Sequence, residues 1–190
     1  MKRILVIIST FFISAVLLAQ NEHLRFKGVE INGNYKTFSQ ELVKRGFVIQ
    51  ESSDFGVILR GDFMGRPNVL TIVYPDSKTQ EVMSVGAFLE TRDNWQSMLS
   101  TFENTIETYK KKYGEPDKYV TEFTDDTFDS DSWKKLYVSE DKCDYNAIWN
   151  TKEGGISIQI HYMTRKYGVL ILYIDHQNSA IRDEGILEDI

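Results

Sequence analysis

The feature that most constrains the fold is a pattern used twice, in which one amphipathic helix is followed by about four strand-like runs. In the second copy, apolar residues recur at intervals of three and four from Trp95 to Tyr113. A helix of about five turns places them all on one side, whereas a strand cannot. Lys110 and the two lysines after it suit the negative end of this helix, and Gly114 ends it.

The helix starts are predicted from capping spacings. Two pairs of polar residues have the spacing of a capping box, in which side chains three residues apart satisfy free backbone N–H groups. The pairs are Thr37 with Gln40 and Asp93 with Gln96. Gly46 supplies the left-handed residue that ends the first helix. That helix is therefore predicted to be short, about two to three turns.

Strand-like runs follow each helix. After the first helix they cover residues 47–50, 56–63, 68–74 and 81–89. After the second they cover residues 119–123, 135–138, 144–150, 156–163 and 169–175. A helix cannot bury its apolar stripe alone, so both helices are expected on one face of a shared antiparallel sheet. The predicted fold class is α+β, with residues 20–90 forming the first repeat and residues 91–190 the second.

The N-terminus has the layout of a secretory signal peptide. Lys2 and Arg3 precede an apolar run over residues 4–18, and Ala19 comes before a polar segment. We therefore predict that residues 1–19 are a signal peptide and that the mature chain is exported to the periplasm or outside the cell. The alternative, a single N-terminal membrane anchor, is disfavoured because the run is short for about 30 Å of hydrocarbon. No second apolar run is long enough for stable membrane insertion after cleavage.

Composition argues against several classes of function. The chain has 28 Asp and Glu against 22 Lys and Arg, which disfavours nucleic-acid binding because that function needs basic surface. The single cysteine, Cys143, excludes a disulfide framework, and no Cys/His cluster has the spacing of a zinc site. No His or Arg adjoins Cys143 to stabilise a thiolate, so a semi-buried structural residue is favoured over a reactive thiol.

No set of residues predicts catalysis or metal binding. His161 and Ser157 share a strand face, but four residues of strand separate them by about 13 Å. Four aspartates within residues 124–132 could offer oxygen ligands to calcium, but an EF-hand loop also needs a glycine at its sixth position, which is missing. Phosphate-binding and dinucleotide-binding motifs are absent from the sequence too. The prediction is a protein that is not an enzyme and has no cofactor.

Alternation in the last two strands predicts a recognition face. Ile156, Ile158 and Ile160 alternate with polar residues and are expected to face the helices. The last strand is apolar on both faces, and we expect its even-numbered residues, from Leu170 on, to join the isoleucines. The other face would then carry Gln159, His161, Met163, Val169, Ile171 and Tyr173. Such a face is either a recognition surface or a central strand covered by loops or a partner repeat.

The candidate binding-face residues are Gln159, His161, Ile171, Tyr173, Trp149 and Tyr145. Tyr145 and Trp149 can belong to either face, since one residue more or less in the loop before Gly155 flips their orientation. We expect the face to bind an unidentified protein or peptide, with Tyr173 as the aromatic anchor. The alternative is a small hydrolase or ligand-binding protein, which needs a pocket of convergent polar groups between helix and sheet.

The doubled unit resembles the tandem fold of the beta-lactamase inhibitory protein. The resemblance covers residues 24–178 and rests on the order and spacing of elements, including the last strand, residues 169–175. A single repeat resembles small outer-membrane assembly lipoproteins, and residues 26–33 look like the start of small secreted proteins of Gram-negative bacteria. The resemblance implies the fold alone, because the inhibitor's paired cysteines are missing and no inhibitory residue carries over.

Overall fold

The computed structural model describes residues 22–124 and 129–178. The predicted signal peptide, two aspartates of the acidic segment (Asp125 and Asp126) and residues 179–190 lie outside the described residues. The described chain begins with a small two-stranded hairpin, β1 (Arg25–Phe26) and β2 (Val29–Glu30), which the sequence patterns did not predict. All the other strands in the described ranges join one 8-stranded sheet.

The two repeats share this sheet. The first contains α1 (Tyr35–Val43), β3 (Val48–Ser53), β4 (Gly56–Phe63), β5 (Arg66–Pro75) and β6 (Val82–Glu90). The second contains α2 (Trp95–Tyr113), β7 (Lys118–Phe123), α3 (Asp131–Ser139), β8 (Cys143–Asn150), β9 (Gly154–Met163) and β10 (Lys166–Asp175). The strand order β3-β4-β5-β6-β10-β9-β8-β7 places the last strands of the two repeats side by side, and every pairing is antiparallel. The predicted α+β class, with two repeats sharing one sheet, is confirmed.

Helix α1 begins earlier than the capping box at Thr37 predicted. The N-cap is Asn34, whose side-chain oxygen accepts a hydrogen bond from the Lys36 N–H at 3.0 Å. Because Asn34 already caps the helix, Thr37 lies within its first turn. The predicted end is confirmed, since Gly46 has a φ of 92° and is followed by the buried Phe47.

Helix α2 matches its predicted length and has a different cap. Asn94, not Asp93, is the N-cap, and its side-chain oxygen accepts from the Ser97 N–H at 2.8 Å. Asp93 instead forms an ion pair with Lys135 at 2.7 Å. Gly114 ends the helix with a φ of 80°, as predicted. Amide and carboxylate side chains cap equally well, so neighbouring Asp and Asn compete for the position.

The strand predicted over residues 135–138 is wrong, because this segment lies in helix α3. Ser130 caps the helix by accepting from the Trp133 N–H at 3.4 Å. The carboxylate of Asp131 also accepts from the Trp95 N–H at 2.6 Å, which ties α3 to the start of α2. A four-residue pattern fits the period of a strand or of a helix, and only the cap and the contact with α2 distinguish them.

The core lies between the sheet and the helices. In the central pair, Ala87 stands opposite Ile171 and Leu89 opposite Val169, and all four are buried. Helices α1 and α2 both contribute to the same core, through the buried residues Phe38, Leu42, Met98, Phe102 and Ile106. The helices therefore pack against one face of the sheet, called here the covered face. The opposite face is called the open face.

Candidate functional site

The open face of the central strands is apolar. Two rows of side chains run across it, each residue opposite the next in the register of the sheet. The first row, from β4 to β8, is Ile58, Ile72, Gly86, Leu172, Ser157 and Ile148. The second is Arg60, Leu70, Phe88, Leu170, Gln159 and Asn146. Tyr74 and Ile174 extend the apolar surface beside the first row, on either side of Ser84.

Two glycines allow this face to pack closely without a helix over it. A Cβ atom at Gly168 would lie 2.6 Å from Cζ of Phe88, and one at Gly86 would lie 3.4 Å from Cδ1 of Leu170. The neighbouring side chains thus fill the space above the two glycines, and Phe88 is only 3% exposed. Burial also raises the pKa of Tyr74 above its ordinary value. The face is therefore partly dry before any partner binds.

The rest of the apolar surface remains in contact with solvent. Ile174 is 37% exposed, and Ile58, Ile72, Leu170 and Leu172 are half-buried. An antiparallel sheet with one solvated face normally alternates apolar and polar residues, and here β10 is apolar on both faces. Contiguous apolar side chains on an otherwise solvated face are typical of interaction sites.

Polar side chains border this surface along β9. Ser157, Gln159 and His161 occupy successive open-face positions and are half-buried. None of the three forms a side-chain hydrogen bond with another residue in the described part of the chain. Their donors and acceptors are therefore free for water or for a partner, an arrangement typical of the rim of an interface.

The expected placement of Ile171 and Tyr173 on this face is wrong. Ile171 pairs with Ile158, so both face the helices, and Tyr173 on the same side is 5% exposed. The register follows from the two-residue turn between β9 and β10, in which Thr164 and Arg165 have φ values of 51° and 62°. Such a turn fixes the pairing of the strands, and a slip by one residue would exchange the two faces.

Trp149 and Tyr145 also belong to the covered face. Trp149 pairs with Ile156 and donates its indole N–H to the Gly114 carbonyl at 2.9 Å. The Tyr145 ring stands edge-on to Trp95, with centroids 4.9 Å apart. Of the six candidate residues, only Gln159 and His161 lie on the open face.

Sequence reasoning missed the apolar residues of the open face, which come from both repeats. They include Ile58 and Ile72 from the first repeat and Leu170, Leu172 and Ile174 from the second. The signal that could have found them is the short turn at Thr164 and Arg165, because a two-residue connection sets the register.

Tyr173 has a structural role in the core. Its hydroxyl and that of Tyr109 form a buried hydrogen bond, which joins β10 to α2. Burial raises the pKa of both tyrosines well above their ordinary value. The two hydroxyls satisfy each other in an environment that water does not reach.

A cavity of about 650 Å³ lies beside the first described residues, away from the open face. His23 lines it, and its Nδ1 atom is 3.1 Å from Oδ1 of the buried Asp175. Asp175 also accepts from the backbone N–H groups of Leu24 at 2.8 Å and Asn178 at 3.2 Å. This contact orients the imidazole ring at the wall of the cavity. Glu153 is among the other lining residues.

Cys143 is shielded by burial, and two aspartates of the acidic segment have structural partners. Burial raises the pKa of Cys143 to about 12, which disfavours the reactive thiolate. Asp129 pairs with Lys134, while Asp131 accepts from the Trp95 N–H. Among the described residues, no group of three or more His, Cys, Asp or Glu could hold a metal ion.

No family model, curated protein or solved structure matches this chain. The resemblance to the tandem fold of the beta-lactamase inhibitory protein therefore stays a prediction that rests on element order. In the described ranges, no helix is both long enough and apolar enough to cross a membrane.

Proposed function

We propose that this protein is a non-catalytic binding module that holds a protein or peptide partner on the open face of its sheet. The observation that carries the proposal is the continuous apolar surface on a face that no described helix covers. We place the function in the periplasm or outside the cell, in keeping with the signal peptide predicted at residues 1–19.

The energetics favour a partner with an apolar segment. Burial of apolar surface stabilises a complex by about 25 cal/mol per Å² before the costs of association. The side chains of Ile58, Ile72 and Leu172 retain part of their surface for such burial. The free polar groups of Gln159 and His161 at the border match the division of interfaces into an apolar centre and a polar rim.

The test compares substitutions on the two sides of the molecule. Ile174 on the open face and Val43 on α1 are each 37% exposed, so Ile174→Gln and Val43→Gln remove similar accessible apolar surface. Leu172→Gln is the third variant. Each protein is photo-crosslinked in its native compartment and then purified, and mass spectrometry identifies the species attached to it. Size-exclusion chromatography with light scattering reports self-association.

We expect one species to crosslink to the wild type and to Val43→Gln with similar yield. With Leu172→Gln and Ile174→Gln the yield of that species should fall at least about tenfold, the loss typical of central interface contacts. Identical crosslinking by all four proteins, each with a similar unfolding midpoint, would contradict the proposal. Dimers that only the open-face variants abolish would identify the partner as a second copy of the chain.

A second candidate function is the binding of a small polar ligand in the cavity beside His23. The observation that favours it is the buried Asp175, which orients the imidazole at the wall of the cavity. A small-molecule screen by thermal shift, run on the wild type and His23→Gln, tests it. A ligand that stabilises only the wild type supports this function, and equal shifts contradict it.

A further inference from the structure

A cleft of about 480 Å³ opens at one end of the open face, where β6 ends and the β9–β10 turn begins. Leu70 and Phe88 line it and also belong to the second row of the open face. Arg60 and Lys166 contribute two cationic side chains to the lining, whereas the guanidinium of Arg66, which also lines the cleft, donates to the Thr101 hydroxyl of α2 at 3.4 Å. The cleft therefore joins an apolar surface to a positively charged end.

Arg60 is held in place at this end. Its Nη1 atom donates to the Asn68 carbonyl at 3.0 Å, and Asn68 adopts a left-handed φ of 57°. A guanidinium has five N–H donors, so one bond to a carbonyl leaves the others for an anion.

The cationic side chains outnumber the carboxylates in the lining. Glu90 is the only carboxylate residue among the described residues that line the cleft, and it pairs with Lys166 at 2.9 Å. These two side chains are 49% and 58% exposed, and exposed pairs of this kind hold each other weakly. Asp62 follows Arg60 by two residues but does not line the cleft. The end of the face thus favours an anionic group.

We propose that this cleft receives the free C-terminal carboxylate of a peptide whose last apolar side chains lie over Leu70, Phe88 and Leu170. The inference rests on the proposed function and names the class of partner. The second row crosses four strand spacings from Arg60 to Gln159, a distance of about 19 Å. An extended peptide of about six residues spans that distance.

The polar end of the row favours a peptide over a fatty acid. Beyond Leu170 the row continues to Gln159 and Asn146. A hydrocarbon chain would cover the free amide of Gln159 and leave it without a partner, which costs free energy. A peptide backbone offers N–H and C=O groups at regular spacing, which can pair with that amide.

The probe is a mixture of hexapeptides that end in Leu and are random at the other five positions, prepared as free acids and, separately, as C-terminal amides. Retention of each mixture on the immobilised protein is measured by mass spectrometry. We expect the free acids to be retained at least about tenfold more strongly, the change typical of one charge-assisted hydrogen bond.

Four variants test the assignment of the residues. Arg60→Gln and Lys166→Gln should each reduce the preference for the free acid, and Arg60→Lys should restore part of it. Lys111→Gln, which removes an exposed charge from α2, is the matched control and should retain the full preference. Unfolding midpoints verify that each variant is folded. If Arg60→Gln does not fold, Lys166→Gln still tests the assignment.

The outcomes separate this inference from the function on which it rests. Equal retention of acids and amides by the wild type, lost in both cases with Leu170→Gln, would overturn the carboxylate inference and leave the open face as the binding surface. Retention that Leu170→Gln does not reduce would overturn both. Absence of retention overturns the peptide inference, as does displacement of the retained peptides by dodecanoate, which would identify an acyl anion as the occupant.

Discussion

The two faces of β10 differ in burial although their residues are similarly apolar. Val169, Ile171 and Tyr173 on the covered face are almost fully buried, whereas Leu170 and Leu172 on the open face are half-buried. The helices make the difference, because α2 packs over the first set and no described helix covers the second. Hydrophobic character alone therefore does not indicate whether a strand residue belongs to the core or to a binding surface.

The two faces also achieve burial in different ways. The covered face fills its space with helix side chains such as Phe102, and the open face does so with Phe88 and Leu170 over glycines. Removal of a side chain from the first leaves a closed cavity, whereas water or a neighbouring side chain can occupy the gap in the second.

The largest expected effect is the loss of stability on the covered face. Ile171→Ala should cost about 3 kcal/mol of unfolding free energy, because it leaves a cavity under α2. Leu172→Ala, one residue along the same strand, should cost about 1 kcal/mol, because its side chain is only half-buried. Urea unfolding of both variants measures the difference. Equal losses would break the distinction between the two faces.

The buried tyrosine pair gives the next effect. Tyr173→Phe leaves the Tyr109 hydroxyl buried without its partner, and we expect a cost of about 1–2 kcal/mol. Tyr109→Phe combined with Tyr173→Phe should be more stable than the single Tyr173→Phe variant, because no unpaired hydroxyl remains. A double-mutant cycle measured by denaturant unfolding reports the coupling, and additive losses would show that the hydroxyls do not interact.

The same pair predicts a dependence on alkaline pH. Burial raises the pKa of Tyr109 and Tyr173, so the folded protein keeps protons that the unfolded chain releases above about pH 10. Their contribution to stability is complete below that pH and is lost as the pH rises further. The wild type should therefore lose more stability between about pH 9 and 11.5 than the double Phe variant. Parallel stability profiles for the two proteins would argue against the burial of these hydroxyls.

The smallest expected effect on stability belongs to a thiol-labelling experiment that compares the accessibility of the two faces. Cys143 lies on the covered side of β8, and burial raises its pKa to about 12. A cysteine at the half-buried open-face position 157, introduced by Ser157→Cys in a Cys143→Ala background, should react with a thiol reagent at pH 8 at least about tenfold faster. Ellman's reagent under native conditions measures both rates. Faster labelling of Cys143 would place it outside the core.

Most segments were predictable from the sequence, including the short helix α1 and strand β7, and the one run that changed type is residues 135–138. Helix α2 and strands β4 to β6 and β8 to β10 follow their predicted runs, because several turns or alternations fix the period. The segment at residues 135–138 is too short for that, and it forms part of α3. Helix starts shifted to Asn34 and Asn94 because neighbouring polar residues compete as caps.

The sequence by itself determined that two helix-and-strand units would share one antiparallel sheet, since periodicity and turn residues are local properties of the chain. It did not determine which side of β10 would lie beneath the helices, because both sides of that strand are equally apolar. The tertiary structure decided this through the pairing of β10 with β9 and β6, which places Ile171 opposite Ile158 and Ala87. A register is a relation between strands, and a shift of one residue leaves every local pattern unchanged while it exchanges the core and the open face.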